Sequence, residues 1–259
     1  MFRVNLASFL SASLLLLNEK SLEATAGTTV KYTATLGGSV ECLGEVNAAR
    51  EAAGFANFNK AETDEQKITG PGSTELTEGG WKDLCEYLVP APPAAYNAQA
   101  SAEAFKDGTY AFKSLGDAEP NCKETVDYWK AAYKKFSGLP PSKSEDEKKV
   151  YNNQDNVSFV ALYNPSSNPT ADCRVVTCTQ TNTTTQDPNT ASRDGNAEAT
   201  EKGYALICKT TPTAFENDTS APFTQEQWDK IIYSLTGSAS LTAPSLIALA
   251  IVTFGITTL

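Results

Sequence analysis

The chain has 259 residues, 41% hydrophobic and 20% charged, a composition that suits one globular domain with a sizeable core. Its net charge of −10 argues against nucleic acid as a partner, because phosphate recognition needs clustered Lys and Arg. Histidine is absent, which excludes Ser-His-Asp and Cys-His nucleophile systems, His-ligated zinc and imidazole acid–base chemistry.

The first segment reads as a secretory signal peptide over residues 1–26. Arg3 gives a basic start, Val4 to Leu17 a mostly apolar run, and Ala24-Thr25-Ala26 a small-x-small cleavage site. That run is too short to span a bilayer. Small and β-branched residues from Gly27 to Val40 then predict an extended lead-in.

Helical patterning follows. In "ECLGEVNAAREAAGFANF", Leu43, Val46, Ala49, Arg50 and Ala53 recur at three- and four-residue spacing and predict one buried stripe. "GGWKDLCEYLVP" predicts a second helix, with Trp81, Leu84, Cys85 and Leu88 on one face and Pro90 as the stop. "SAEAFKDGTYAFKSL" reads as ambiguous, a short helix broken at Gly108 and then extended. "NCKETVDYWKAAYKKFSGLPP" carries the best helical pattern: Val126, Trp129, Tyr133 and Phe136 form an aromatic stripe, a core face rather than a ligand box. Lysines gather in its last turn, where the helix dipole favours cations.

After the polar run 142–156, the pattern reads as strand. "VSFVALY" (157–163), "CRVVTCTQ" (173–180) and "GYALICK" (203–209) are short, β-branched and bounded by Pro, Asn and Gly. Residues 181–202 read as a long polar loop. "PFTQEQWDKIIYSL" predicts a last helix with Thr224 as N-cap, Gln227 completing a capping box and Phe223 and Trp228 as a staple.

The six cysteines Cys42, Cys85, Cys122, Cys173, Cys178 and Cys208 all follow the signal. An even number in an exported chain predicts three disulfides, and zinc is disfavoured without a CxxC pair. Fifteen connectivities are open; Cys178 with Cys208 is the expected pair, on strands a hairpin places side by side. Asn156, Asn182 and Asn217 head N-glycosylation sequons, with Asn182 read as the most accessible.

Beyond Lys230, the last charged residue, come the small residues Thr236 to Ser240, and a spacer from Ser238 to Ser245 leads to an apolar end, Leu246 to Leu259. This pattern matches a GPI attachment signal at Gly237 (or Ser238 or Ala239), with 238–259 removed as a propeptide. A membrane span calls for roughly 20 apolar residues and flanking cations, and a buried helix calls for a polar face. The mature domain expected is therefore 27–237, held on the outer leaflet of the plasma membrane by a lipid.

"ECLGEVNAAREAAG", "ADCRVVTCTQ" and "GYALICKTTP", together with the two terminal signals, resemble the surface antigens of the coccidian parasite Eimeria across nearly the whole chain. That family resembles the CAP superfamily, whose late strands are similar to Cys173-Arg-Val-Val-Thr-Cys178 and Tyr204-Ala-Leu-Ile-Cys208. The resemblance implies an α+β fold: a CAP-like three-layer αβα sandwich with a short antiparallel sheet, braced by disulfides. The CAP metal cleft uses two histidines, one in a Gly-His-aromatic-Thr-Gln motif. The corresponding strand here, 157–163, has none, so metal-dependent activity is not carried over and no cofactor is expected.

Two functions are in play. The first is a non-enzymatic, GPI-anchored surface antigen whose partners are a host-cell surface molecule and host antibodies, with 181–202 as exposed surface. The second is a CAP-type module binding a lipid, sterol or small molecule. Glu41 and Glu45, spaced like a catalytic pair, read as a solvated helix face.

Overall fold

The computed structural model describes residues 28–39, 41–72, 75–91, 108–146, 149–184, 198–215 and 217–237. The expected signal peptide and propeptide lie outside them, apart from Gly237 at the boundary. In chain order the elements are β1 (Thr28–Leu36), α1 (Leu43–Ala52), β2 (Asn59–Lys60), α2 (Gly80–Leu88), β3 (Thr109–Leu115), α3 (Cys122–Ala131), α4 (Gln154–Leu162), β4 (Thr170–Thr184), β5 (Glu198–Thr211) and α5 (Gln225–Thr236). Short 3₁₀ turns occupy Ala132–Lys135 and Val150–Asn152.

The strands form one sheet in the order β1-β4-β5-β3, antiparallel throughout this path, with β2 added in parallel to the start of β4. It is not the short sheet expected: β4 has 15 residues and β5 has 14, and they consume both ends of the polar segment read as a loop over 181–202. Residues 185–197 lie outside the described residues. Alternation along the strands sends side chains to two separate cores. Cys173, Val175, Leu206 and Cys208 pack with α1, α3, α4 and α5 residues on one face. Val176, Cys178, Ala205 and Ile207 pack with Tyr32, Leu84 and Cys85 on the other, under α2. Helices thus cover both faces of the sheet. On the first face, Thr33 and Thr35 of β1 are exposed and lie across from the half-buried Thr179 and Thr177 of β4.

The segment read as a third strand, 157–163, is helix α4. Ser158 through Tyr163 are all buried. A run with no polar face carries neither a period of two nor of 3.6, so composition alone pointed to strand. Asn153 starts the helix by accepting a hydrogen bond from the Asp155 amide at 2.9 Å. α4 lies along the outer edge of β3 and, with Trp129 of α3, occupies backbone groups of Tyr110 and Phe112. Ser158 accepts from the Phe112 amide, Trp129 of α3 donates to the Phe112 carbonyl, and Gln154 donates to the Tyr110 carbonyl, each at 2.9 Å. At Tyr110 and Phe112 the edge is thereby shielded from intermolecular pairing.

The other helices stand where the periodicity places them, and the capping box at Thr224 and Gln227 is present on α5. Phe223 and Trp228 meet through Phe159, whose ring lies 6.3 and 6.0 Å from theirs.

The disulfides are Cys42–Cys122, Cys85–Cys178 and Cys173–Cys208. The expected Cys178–Cys208 pair does not form. The β4–β5 register sets Cys173 opposite Cys208 and Cys178 opposite Gly203, so Cys178 and Cys208 face opposite sides of the sheet. Cys178 instead reaches α2. Gly203 lets α2 come that close: a Cβ there would lie 2.7 Å from Val89 Cγ2 and 2.8 Å from the Leu88 carbonyl oxygen.

Candidate functional site

No group of three or more Cys, Asp or Glu side chains that could hold a metal occurs among the described residues. The Glu41–Glu45 spacing does not place two carboxylates on a helix. Glu41 lies in the turn before α1, where its amide donates to the Cys173 carbonyl at 3.0 Å.

One cleft, of about 250 Å³, lies at the outer edge of β3. Its walls come from four elements: Tyr87 of α2, Phe112, Lys113 and Ser114 of β3, Tyr128 of α3, and the start of α4. The Tyr87 and Phe112 rings meet edge to face at 5.9 Å. Tyr128 is 43% exposed, yet its hydroxyl is fixed by donation to Asp155 Oδ1 at 2.8 Å. Desolvation, with help from Asp155, pushes the Tyr128 phenol up to about 12, so it stays protonated. Lys113 is paired with Glu124 at 2.8 Å, and Lys135 with Asp155. The aromatic stripe read on α3 therefore serves the core through Val126 and Trp129, while Tyr128, on the other side of the helix, faces the cleft. Sequence gave no signal for this site, because its residues are spread from 87 to 155.

A second cleft, of about 470 Å³, is more open and is bordered by Pro165 to Ser167 and by the turns around 212–221, including Asn217.

The sequons fall in three different environments. Asn156 is 3% exposed inside α4, and its Nδ2 donates to the Val150 carbonyl at 2.8 Å. Asn182, expected in an exposed loop, is a half-buried residue of β4, paired with Val30 and Ala199 on either side. Its Nδ2 donates to Gln180 Oε1 at 2.9 Å. Asn217 is exposed on a turn, where its Oδ1 accepts from the Thr219 amide at 3.0 Å and the Thr219 hydroxyl at 2.6 Å. Neither bond uses Nδ2.

A buried cation supports the α-helical side. Arg50 of α1 is 1% exposed and donates to the Ala56 carbonyl at 2.8 Å and the Leu162 carbonyl at 3.0 Å. Its guanidinium lies 3.8 Å from the centre of the Phe58 ring. Desolvation lowers its pKa to about 10, which leaves it charged at neutral pH.

Gly237 closes α5 as its C-cap, with its amide bonded to the Tyr233 carbonyl; Ser238 and Ala239 lie outside the described residues. No helix among the described residues is long and apolar enough to cross a membrane.

Comparison with known proteins bears on what this surface is for. The model of the sporozoite surface antigen (SAG) protein domain matches residues 38–250. The chain is 31% identical over 207 residues to the sporulated oocyst TA4 antigen of Eimeria tenella, covering 76% of each protein. No solved structure matches it, and neither match carries the likeness to the CAP superfamily. The helical 157–163 segment also removes the strand on which that correspondence partly rested. With the family match extending over most of its length, the chain belongs to the sporozoite surface antigen (SAG) family.

Proposed function

We propose that the protein is a non-enzymatic surface antigen, tethered to the outer leaflet by a GPI lipid at Gly237, Ser238 or Ala239, that meets host cells and host antibodies. The family match over 38–250 is the observation that carries this reading. The tether is supported by the small residues, spacer and apolar segment after Lys230. With Gly237 as the attachment residue, the lipid joins directly at the last turn of α5, and the body stands close to the bilayer. The exposed residues of β1 (Lys31, Thr33 and Thr35) and of the start of β5 (Glu198 to Lys202) are then the candidate contact surface in that region. A lipid- or sterol-binding CAP-type module calls for a continuous apolar groove. The described clefts, lined by rings, hydroxyls, amides and charges, favour the antigen reading instead.

Phosphatidylinositol-specific phospholipase C applied to intact cells is expected to release the protein. Retention, with the apolar tail peptide still found by mass spectrometry, overturns the tether. Attachment is scored separately: the purified protein is expected to bind host epithelial cells saturably, and absence of saturable binding removes that role.

Among the sequons, Asn217 is the proposed acceptor. In protein from a glycosylating host, enzymatic deglycosylation is expected to convert Asn217 to aspartate and leave Asn156 unchanged. A glycan found on Asn156 contradicts the burial of that side chain in the native fold.

A further inference from the structure

We propose that the cleft at the edge of β3 binds one neutral pyranose residue of a glycan. The proposal names a chemistry for the host contact described above and rests on that reading for its biological setting.

Size limits the ligand first. At about 250 Å³ the cleft is smaller than the roughly 300–1,000 Å³ pockets that take drug-sized molecules, which points to a single ring. The walls then select its character. Tyr87, Phe112 and Tyr128 offer aromatic surface, and the C–H face of a pyranose is apolar with a partial positive charge, complementary to the negative face of a ring. Tyr128 is pre-organised for this contact, since its hydroxyl is held by Asp155 while 43% of the residue remains exposed. Rigid tyrosines supply contact area at low cost in conformational entropy.

The polar side of the cleft is the start of α4. Asn153 uses its Oδ1 to accept from the Asp155 amide, and Gln154 uses its Nε2 to donate to the Tyr110 carbonyl. Among the described residues, those bonds leave the Asn153 Nδ2 donor and the Gln154 Oε1 acceptor uncommitted and one residue apart. Ser114 adds a hydroxyl from the strand side. Mixed donors and acceptors of this kind suit vicinal sugar hydroxyls, each of which both donates and accepts.

Charge settles the choice between neutral and anionic sugars. Lys113 is paired with Glu124 and Lys135 with Asp155, so both cations are already neutralised by carboxylates. A sialic acid carboxylate or a sulfate entering the cleft meets Asp155 without gaining an unpaired cation.

The test is saturation-transfer NMR on the purified full-length protein. The probes are galactose, glucose, mannose and their N-acetylated amino sugars, set against sialic acid and a sulfated hexose. Transfer is expected to concentrate on the protons of one ring face of at least one neutral sugar. Tyr128→Ala is expected to weaken that binding by about tenfold, the worth of one aromatic contact. Its Tm should change little, because the ring is partly exposed and outside the two cores. Tyr128→Phe keeps the ring, loses the hold on Asp155, and should weaken binding less than Tyr128→Ala does. No transfer to any neutral sugar, binding confined to the anionic probes, or binding unchanged in Tyr128→Ala each overturns the proposal. A silent panel beside intact cell attachment removes the sugar site alone, whereas sugar binding without cell attachment removes the attachment reading alone.

Discussion

Replacing Cys85 and Cys178 together with alanine is expected to lower the unfolding free energy by about 4 to 5 kcal/mol. The two cysteines are 93 residues apart in sequence, and neither remaining bridge offers a shorter covalent path between them. The whole loop is therefore freed in the unfolded chain, and its entropy rises accordingly. The loss compares with a total of about 5–15 kcal/mol for a typical domain, so the variant should be marginal at 37 °C. The structural consequence is also specific: of the three bridges, this is the one that fastens α2 to the sheet, over the core that contains Tyr32, Leu84 and Val176. Removing Cys173–Cys208 should cost less, since its loop spans 35 residues and the strands it joins are already hydrogen-bonded to each other. Denaturant titration of the two double variants measures both values. A loss under about 1 kcal/mol for the α2 bridge would show that packing alone holds this helix.

Arg50→Met is expected to destabilise the fold by about 3 kcal/mol, because it strips the donor from the Ala56 and Leu162 carbonyls and leaves the latter buried and unpaired. It also removes the cation from the Phe58 ring. The opposing effect is desolvation, which is large for a guanidinium that is 1% exposed and is the reason its pKa falls. The hydrogen bonds should win, because the donors are divided between a loop carbonyl and the last residue of α4. No apolar side chain can hold both segments. Arg50→Lys keeps the charge but offers one point rather than a fork, so it should fall between the wild type and Arg50→Met. Denaturation midpoints at constant slope give the ranking, and an Arg50→Met variant as stable as the wild type would show that desolvation cancels the bonds.

Much of the helical framework was readable from sequence, and the reasons are local. The α1 stripe, Pro90 after α2, the Val126 and Trp129 stripe of α3 and the Thr224 capping box each mark an element through neighbouring residues. The failures share the opposite cause. Ser158 to Tyr163 are all buried, so tertiary packing erased the period that would have identified the segment as helix. The signal that was available lay just before it, in the Asn153 cap and the acidic first turn at Asp155. The disulfide pairing depended on strand register, and register depends on partners far away in sequence. Asn182 looked exposed because its polar neighbours were counted as a loop, whereas threonine-rich sequence also suits a strand with one open face. The cleft was invisible for the same reason as the register: Tyr87, Phe112, Tyr128 and Asp155 become neighbours only when α2, β3, α3 and α4 assemble.

The spans of the three bridges overlap along the chain: 42 to 122, 85 to 178, and 173 to 208. Every peptide bond from Cys42 to Cys208 therefore lies inside at least one covalent ring. A single proteolytic cut anywhere in that interval opens a ring without releasing a fragment. In the presence of a protease, a nicked molecule would remain one covalent body, still presenting surfaces assembled from distant parts of the sequence. Antibodies raised against such surfaces should tolerate cleavage of the chain far better than reduction of its sulfurs.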